Sequence, residues 1–311
     1  MTSTFVLIRP LPLPPLTANG ETLQTKLYEG DPSVFEGAQA ILTTVLDPID
    51  ATLIAQLPDS IKLIASIGVG YDHIDLEAAS ARGISVTTTP VVTEDTADLA
   101  FLLILAASRQ LTANERFLRE GQWSDTQPVG ALGKTVHGTR LGIIGFGEIG
   151  QAVARRARAF NMEILYHGPN PKPEAAAALE ATFYADLDAM LGEADIVSIN
   201  CPLNESTRHI MNAERISAMK PDAVLINTGR GPLVDEQALV DAMKGGHLAA
   251  AGLDVYEDEP KVNPGLLTLP NVTLAPHIGS ATAQCRGAMV GCAIKNILAF
   301  FEERDLLTKI N

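Results

Sequence analysis

The chain is 311 residues long, enough for two domains with separate cores. Hydrophobic residues make up 46% and charged residues 19%, a globular rather than a disordered profile. A formal net charge of −14 argues against nucleic acid as a partner, and any anionic ligand must be met locally by arginines or helix N-termini.

The first apolar run is four residues long before Arg9, with no basic stretch ahead of it, so no signal peptide is predicted. Strands are expected at 5–8, 40–43, 63–66, 85–87, 140–144, 163–166, 196–199, 223–227, 249–254 and 272–274. Most are continuous Val/Ile/Leu runs rather than alternating ones, as parallel strands covered on both faces require. Helical periodicity fills the intervals, for example over 151–160 and 236–244. Strand, helix, strand repeated this way predicts a doubly wound α/β architecture.

The Pro-rich patch 10–15 reads as a strand-to-helix loop. The apolar helix 95–108 contains Asp98 and is too short to span a bilayer, so no membrane partner is expected. This helix and the C-terminal helix 282–301 read as two helices crossing between lobes. That places one lobe at 1–98 plus 283–311 and the other at 99–282. The stretch 120–138 is irregular and Gly-rich, with Trp123 in a packing role. Cys201, Cys285 and Cys292 are odd in number and form no CxxC pair, so neither disulfides nor a structural metal site are predicted, which fits a cytoplasmic location.

Arg140-Leu-Gly-Ile-Ile-Gly-Phe-Gly-Glu-Ile-Gly150 carries the strongest local signal. Gly145, Gly147 and Gly150 have GxGxxG spacing between a predicted strand and a predicted helix, with Glu148 and Ile149 opening that helix. The first glycine permits a tight turn, the second lets backbone approach a pyrophosphate, and the third lets helix and strand pack closely. The next strand should end in an Asp or Glu that reads the ribose. Here it ends in His167, followed by Gly168, Pro169, Asn170 and Lys172, with no carboxylate. The barrier to a 2′-phosphate is therefore missing, and His167, Asn170 and Lys172 are the groups available to bind it. NADP is expected in preference to NAD.

Three further segments each follow a predicted parallel strand: 224–235 with Asn227-Thr-Gly-Arg-Gly231, 251–260 with Gly252-Leu-Asp-Val-Tyr-Glu-Asp-Glu-Pro260, and 274–282 with Pro276-His-Ile-Gly-Ser-Ala-Thr282. They resemble the NxxRG, GLDVxxxEP and PHIGSAT signatures of the D-isomer-specific 2-hydroxyacid dehydrogenases, in the same order and over essentially the whole chain. Residues 66–75 and 165–168 are similar to the glyoxylate/hydroxypyruvate and hydroxyphenylpyruvate reductase branch. The resemblance implies a Rossmann cofactor domain inserted in a flavodoxin-like substrate domain, and reduction of small 2-oxo acids to D-2-hydroxy acids.

The family's catalytic trio falls on Arg230, Glu259 and His277. An imidazole donates a proton near neutral pH, a carboxylate on its other nitrogen favours imidazolium, and a guanidinium fork holds a substrate carboxylate. The resemblance further implies that the backbone of Val69 and Gly70 holds that carboxylate. It places Thr228, Gly229, Asp254 and Gly279 on the nicotinamide side, Cys201 and Pro202 beside the adenosine and Thr96 as a contact on the first crossing helix, with Thr207 and Ser280 as further cofactor contacts. It also implies a homodimer built through the 120–138 arm. His73, His137, His209 and His247 read as structural or solvent-facing, and Asp75 and Asp235 as helix N-caps. The alternative of another class is a cofactor-sensing interaction protein on the same fold, which would not need the intact trio. The chain's length argues against formate and phosphoglycerate dehydrogenases.

Overall fold

The structure is a computed structural model and describes residues 3–311. Two compact units divide it: residues up to Val92 together with Thr282–Asn311, and Thr93–Ala281.

In the first unit the strands are β1 (Thr4–Leu7), β2 (Thr17–Ala18), β3 (Glu21–Thr22), β4 (Gln24–Leu27), β5 (Ala40–Thr44), β6 (Leu63–Ile67) and β7 (Ser85–Thr87). The five-stranded sheet has the order β4-β1-β5-β6-β7, and every neighbouring pair is parallel. This is a flavodoxin-like order. Phe5 and Leu7 pack with Leu42, Ala65 and, from the last helix (Ala283–Phe301), Met289 and Ile297. Val6, between them, packs on the other face with Ile41, Ile64, Ile54 of helix α1 (Ala51–Gln56) and Ala79 of helix α2 (Leu76–Ala81). Both faces are dry, which is why these strands read as unbroken apolar runs.

Asp50 and Asp75 cap α1 and α2, accepting from the N–H of Leu53 at 2.8 Å and of Ala78 at 2.9 Å. The Pro-rich patch leads not to a helix but to the antiparallel β2–β3 hairpin, turned by Asn19 and Gly20 at φ 51° and 81°. Asn-Gly suits such a turn because both positions need positive φ. The C-terminal tail covers the edge of β7, where the Ile310 N–H donates to the Val86 carbonyl at 3.0 Å.

The second unit begins with α3 (Thr93–Ser108) and α4 (Leu111–Arg119). It continues through β8 (Arg140–Ile144), α5 (Glu148–Arg158), β9 (Glu163–His167), α6 (Pro173–Leu179), β10 (Ala181–Tyr184), α7 (Leu187–Glu193) and β11 (Ile196–Ile199). The rest is α8 (Ala213–Ala218), β12 (Val224–Asn227), α9 (Glu236–Lys244), β13 (Ala250–Leu253), α10 (Pro264–Leu267) and β14 (Val272–Leu274). Its boundary falls at Thr93 rather than after residue 98, because Ala97 and Ala100 of α3 already belong to this unit's core.

The sheet order is β10-β9-β8-β11-β12-β13-β14, all parallel, a Rossmann arrangement. Ile143, Ile164 and Ile226 pack under α3 and α5, with Phe101, Ile104 and Val153. Ile144, Leu165, Leu225 and Leu253 pack on the opposite face, with Met190 of α7, Ile216 of α8 and Leu239 of α9. Among the described residues no single helix is long and apolar enough to cross a membrane, and only the bent α3–α4 pair passes by length and composition. The strand sequence reverses direction between β8 and β11, which opens a crevice at the carboxyl ends of those two strands.

Candidate active site

The glycine-rich loop turns from β8 into α5 at that crevice. Gly145 has φ 92°, and a Cβ there would lie 2.5 Å from the Cys201 nitrogen. A Cβ on Gly150 would lie 2.3 Å from the Gly145 carbonyl oxygen. A Cβ on Gly147 would meet nothing within 4 Å. Two glycines are thus demanded by packing, and the middle one leaves open space above a helix N-terminus, the cradle a pyrophosphate fills. Glu148 and Ile149 form the first turn of α5.

Beside this loop, β9 ends at His167, whose carbonyl accepts from the Gly145 N–H at 2.9 Å. Tyr166 is fully buried, stacks on Phe146 with ring centroids 4.1 Å apart, and accepts from the Lys172 N–H at 2.9 Å. The segment Gly168 to Lys172 therefore folds back over the strand end, with Asn170 and the Lys172 side chain exposed.

Cys201 and Pro202 follow β11. Burial pushes the Cys201 thiol up to about 11, so it stays a neutral thiol at ordinary pH. The Thr207 hydroxyl is engaged within its own loop, donating to the Pro202 carbonyl at 2.7 Å. The Asn200 Oδ1 and Thr228 Oγ1 atoms are buried without a hydrogen-bond partner at this same edge, as polar atoms awaiting a ligand would be.

After β12, the buried Asn227 folds the turn that carries Arg230. Its Oδ1 accepts from the Gly229 N–H at 3.0 Å, and its Nδ2 donates to the Arg230 carbonyl at 2.8 Å. Arg230 itself is extended, at φ −141°. The next residue is Gly231, where a Cβ would fall 1.8 Å from the Tyr256 carbonyl carbon. Only glycine lets the Arg230 turn lie directly on the loop that leads to Glu259.

That loop follows β13 and is held at several points. The Tyr256 hydroxyl donates to the Ala275 carbonyl at 2.8 Å. The Glu257 N–H donates to the buried Glu236 carboxylate at 2.8 Å, and burial pushes the Glu236 carboxyl up. Glu257 in turn pairs with Nε2 of His209. At the loop's end, Glu259 accepts from the Tyr256 N–H at 3.0 Å and from His277 Nδ1 at 2.8 Å. Burial alone would raise the Glu259 carboxyl, but the His277 hydrogen bond and charge, the Tyr256 N–H and Arg230 outweigh it. The group is held below the usual carboxylate range.

His277 sits in the left-handed region at φ 52°, uncommon for a residue with a Cβ. Asp254 holds it there. The His277 N–H donates to the Asp254 carbonyl at 2.8 Å, while the Asp254 carboxylate accepts from Ile278 N–H at 2.7 Å and Gly279 N–H at 2.8 Å. Burial pushes the Asp254 carboxyl up, against those two N–H groups and His277. Gly279 is close-packed as well: a Cβ there would lie 3.2 Å from Asp254 Oδ2 and 3.5 Å from the buried Thr96 side chain. Ser280, half-buried, follows.

Arg230, Glu259 and His277 thus stand on three consecutive loops at one sheet edge with the glycine-rich loop. Residues 101–279, more than half of the chain, match the D-isomer specific 2-hydroxyacid dehydrogenase, NAD binding domain. The chain belongs to the D-isomer-specific 2-hydroxyacid dehydrogenases. The dehydrogenase is 46% identical over 266 residues to the glyoxylate reductase of Thermococcus litoralis, covering 84% of this chain and 80% of that one. A glyoxylate reductase crystal structure from Paecilomyes thermophila matches with TM-score 0.89 and 37% identity, over 99% of this chain and 98% of that one. A third relative is the NADPH-dependent glyoxylate/hydroxypyruvate reductase of Sinorhizobium meliloti in complex with NADP and malonate. It has TM-score 0.88 and 34% identity, over 100% of this chain and 97% of that one. The dehydrogenase is an NAD(P)-dependent oxidoreductase of 2-oxo and 2-hydroxy acids.

Within the first unit, Val69 and Gly70 follow β6 and are half-buried. Their loop is fixed at Gly68, whose N–H donates to Thr89 Oγ1 at 2.8 Å and whose carbonyl accepts from the Thr89 N–H at 2.8 Å. Of the histidines set aside in the sequence, His73 bonds to Ser66 at 3.1 Å, His247 to the Ile216 carbonyl at 3.1 Å, and His137 is exposed. Asp235 caps α9, accepting from the Ala238 N–H at 3.0 Å. Sequence reasoning missed Asn227, Gly231, Glu236 and Tyr256. Gly231 had a visible signal, a glycine directly after the arginine in the NxxRG segment.

Proposed function

We propose that the dehydrogenase reduces glyoxylate- and hydroxypyruvate-like 2-oxo acids to D-2-hydroxy acids, using NADPH in preference to NADH. The observation that carries this reading is the 2.8 Å bond from His277 Nδ1 to Glu259, beside Arg230 and the dinucleotide loop. A carboxylate can only accept, so Nδ1 carries a proton and Nε2 is the nitrogen left for chemistry. When bound, the nicotinamide supplies the hydride that C2 of the oxo acid receives. His277 Nε2, in the imidazolium form, gives the carbonyl oxygen its proton. The Arg230 fork holds the substrate carboxylate and draws density from the carbonyl. Asp254 fixes the His277 loop and offers an acceptor on the nicotinamide side.

NADPH preference rests on His167 where a ribose-reading carboxylate would stand, on the exposed Lys172, and on the NADP held by the Sinorhizobium meliloti relative. A homodimer rests on the apolar side chains exposed along α4 and the following arm: Leu111, Leu118, Trp123, Val129 and Leu132, the last 82% exposed. Three cysteines without a CxxC pair fit a reducing cytoplasm. The test is a steady-state panel of glyoxylate, hydroxypyruvate, pyruvate and phenylpyruvate with both cofactors. The highest kcat/KM is expected for glyoxylate or hydroxypyruvate with NADPH, tens of fold above NADH, since one charge-assisted hydrogen bond contributes roughly 1.5–3 kcal/mol. Phenylpyruvate as best substrate, or NADH as best cofactor, contradicts it.

A further inference from the structure

His167 is the last residue of β9 and pairs in register with Tyr184, the last residue of β10. Its ring Nδ1 lies 2.9 Å from the Tyr184 carbonyl oxygen. A carbonyl only accepts, so Nδ1 must be the protonated nitrogen whatever the ring's charge. The neutral ring is thereby locked in one tautomer, with a bare lone pair on Nε2. The charged ring differs only in carrying a proton there. One nitrogen, at one place in the fold, is an acceptor in one state and a cationic donor in the other.

The position matters because the His167 carbonyl is bonded to the first glycine of the dinucleotide loop, and the ring is half-buried at the strand end where such folds read the adenosine ribose. We infer that His167 is a two-state reader of that ribose. The neutral ring accepts from the 2′-hydroxyl of NAD(H), as a carboxylate would, and the charged ring donates to the 2′-phosphate of NADP(H). This inference rests on the proposed dinucleotide site and deepens it: cofactor choice follows pH through one side chain.

The charged groups at this end of the neighbouring elements are Glu148 on α5, Lys172 and Glu174 at the start of α6, and Asp186 at the start of α7. On β8 the charged residue is Arg140, at the opposite end and paired with Glu163 and Glu193, and β10 brings only the Tyr184 phenol. None of these side chains hydrogen-bonds to the His167 ring among the described residues; its ring bond is to the Tyr184 backbone. Lys172, exposed at the start of α6, is a second cation on the side of the phosphate.

The experiment is fluorescence titration of the enzyme with NADPH and NADH from pH 5.5 to 8.5, for wild type and His167→Gln. A 2′-phosphate gains negative charge as pH rises, and that effect is common to both proteins. The difference between their profiles isolates the ring. The ratio Kd(NADH)/Kd(NADPH) should fall by about tenfold or more with rising pH in wild type relative to His167→Gln, the size of one charge-assisted hydrogen bond. Nitrogen-15 NMR of the wild type gives a second reading, independent of the variant: the neutral His167 ring should be protonated at Nδ1. Parallel profiles, or protonation at Nε2 instead, would overturn the inference alone. Failure of both cofactors to bind would overturn the dinucleotide site and the inference with it.

Discussion

Glu259 Oε2 lies 2.8 Å from Nδ1 of His277, and the same carboxylate's other oxygen is held by the Tyr256 N–H at 3.0 Å. Because the Glu259 carboxyl is held below its usual range, it is ionised throughout the neutral region. The sign follows from the direction: its contribution to stability is present above the ordinary carboxylate value of about 4.3 and is lost as pH falls through the lowered one. Glu259→Gln removes the negative charge beside the ring. The alkaline limb of the reduction rate should move to lower pH by about one unit or more, the usual effect of one adjacent opposite charge. An unmoved limb in a pH–kcat/KM profile would show that Glu259 does not couple to the acid.

Gly231 joins the Arg230 turn to the Glu259 loop by close contact. Gly231→Ala places a Cβ 1.8 Å from the Tyr256 carbonyl carbon, so backbone must move. Overpacking of this kind costs about 1–3 kcal/mol. The variant should lose several degrees of Tm and a larger share of kcat/KM, because the displaced loops carry Arg230 and Glu259. Thermal unfolding and steady-state kinetics on the same preparation check it; a variant with unchanged kcat/KM would mean that the contact does not place either residue.

The exposed apolar side chains of α4 and the arm predict a second copy as their cover. Light scattering at micromolar concentration should report a dimer. Leu132→Glu, which sets a charge at the most exposed of these positions, should shift the protein toward monomer. A wild-type monomer would leave this face without its proposed partner.

The parallel architecture was legible because buried strands cannot hide: Leu63–Ile67 and Arg140–Ile144, like most of the other strands, are apolar runs between turns. What the sequence obscured lies at sheet edges and in loops. Gln24–Leu27 and Ala181–Tyr184 are edge strands, half-exposed and polar enough to lack a periodic signal. The hairpin at Asn19-Gly20 was missed although Asn-Gly is a turn signal, because its two-residue strands carry no alternation of their own. Within the site, Arg230, Glu259 and His277 were legible as motif residues on strand ends. Glu236 and Tyr256 were not, because their work is to hold loop backbone, and which N–H or carbonyl a side chain meets is decided by folding rather than by spacing. His167 was legible as a missing carboxylate, but its tautomer depends on the Tyr184 carbonyl, seventeen residues on in sequence and adjacent only across the sheet.

The most direct test of the account is His277→Ala, assayed for NADPH oxidation with glyoxylate and, in parallel, for NADPH binding by fluorescence. Loss of the ring bonded to Glu259 removes the proposed proton donor and leaves the glycine-rich loop intact. Turnover should fall by about 10²–10⁴-fold, the usual contribution of a general acid, while the Kd for NADPH changes by less than a few fold. Turnover within a few fold of wild type would contradict the assignment of His277 as the proton donor, and with it the mechanism built on the Glu259–His277 pair.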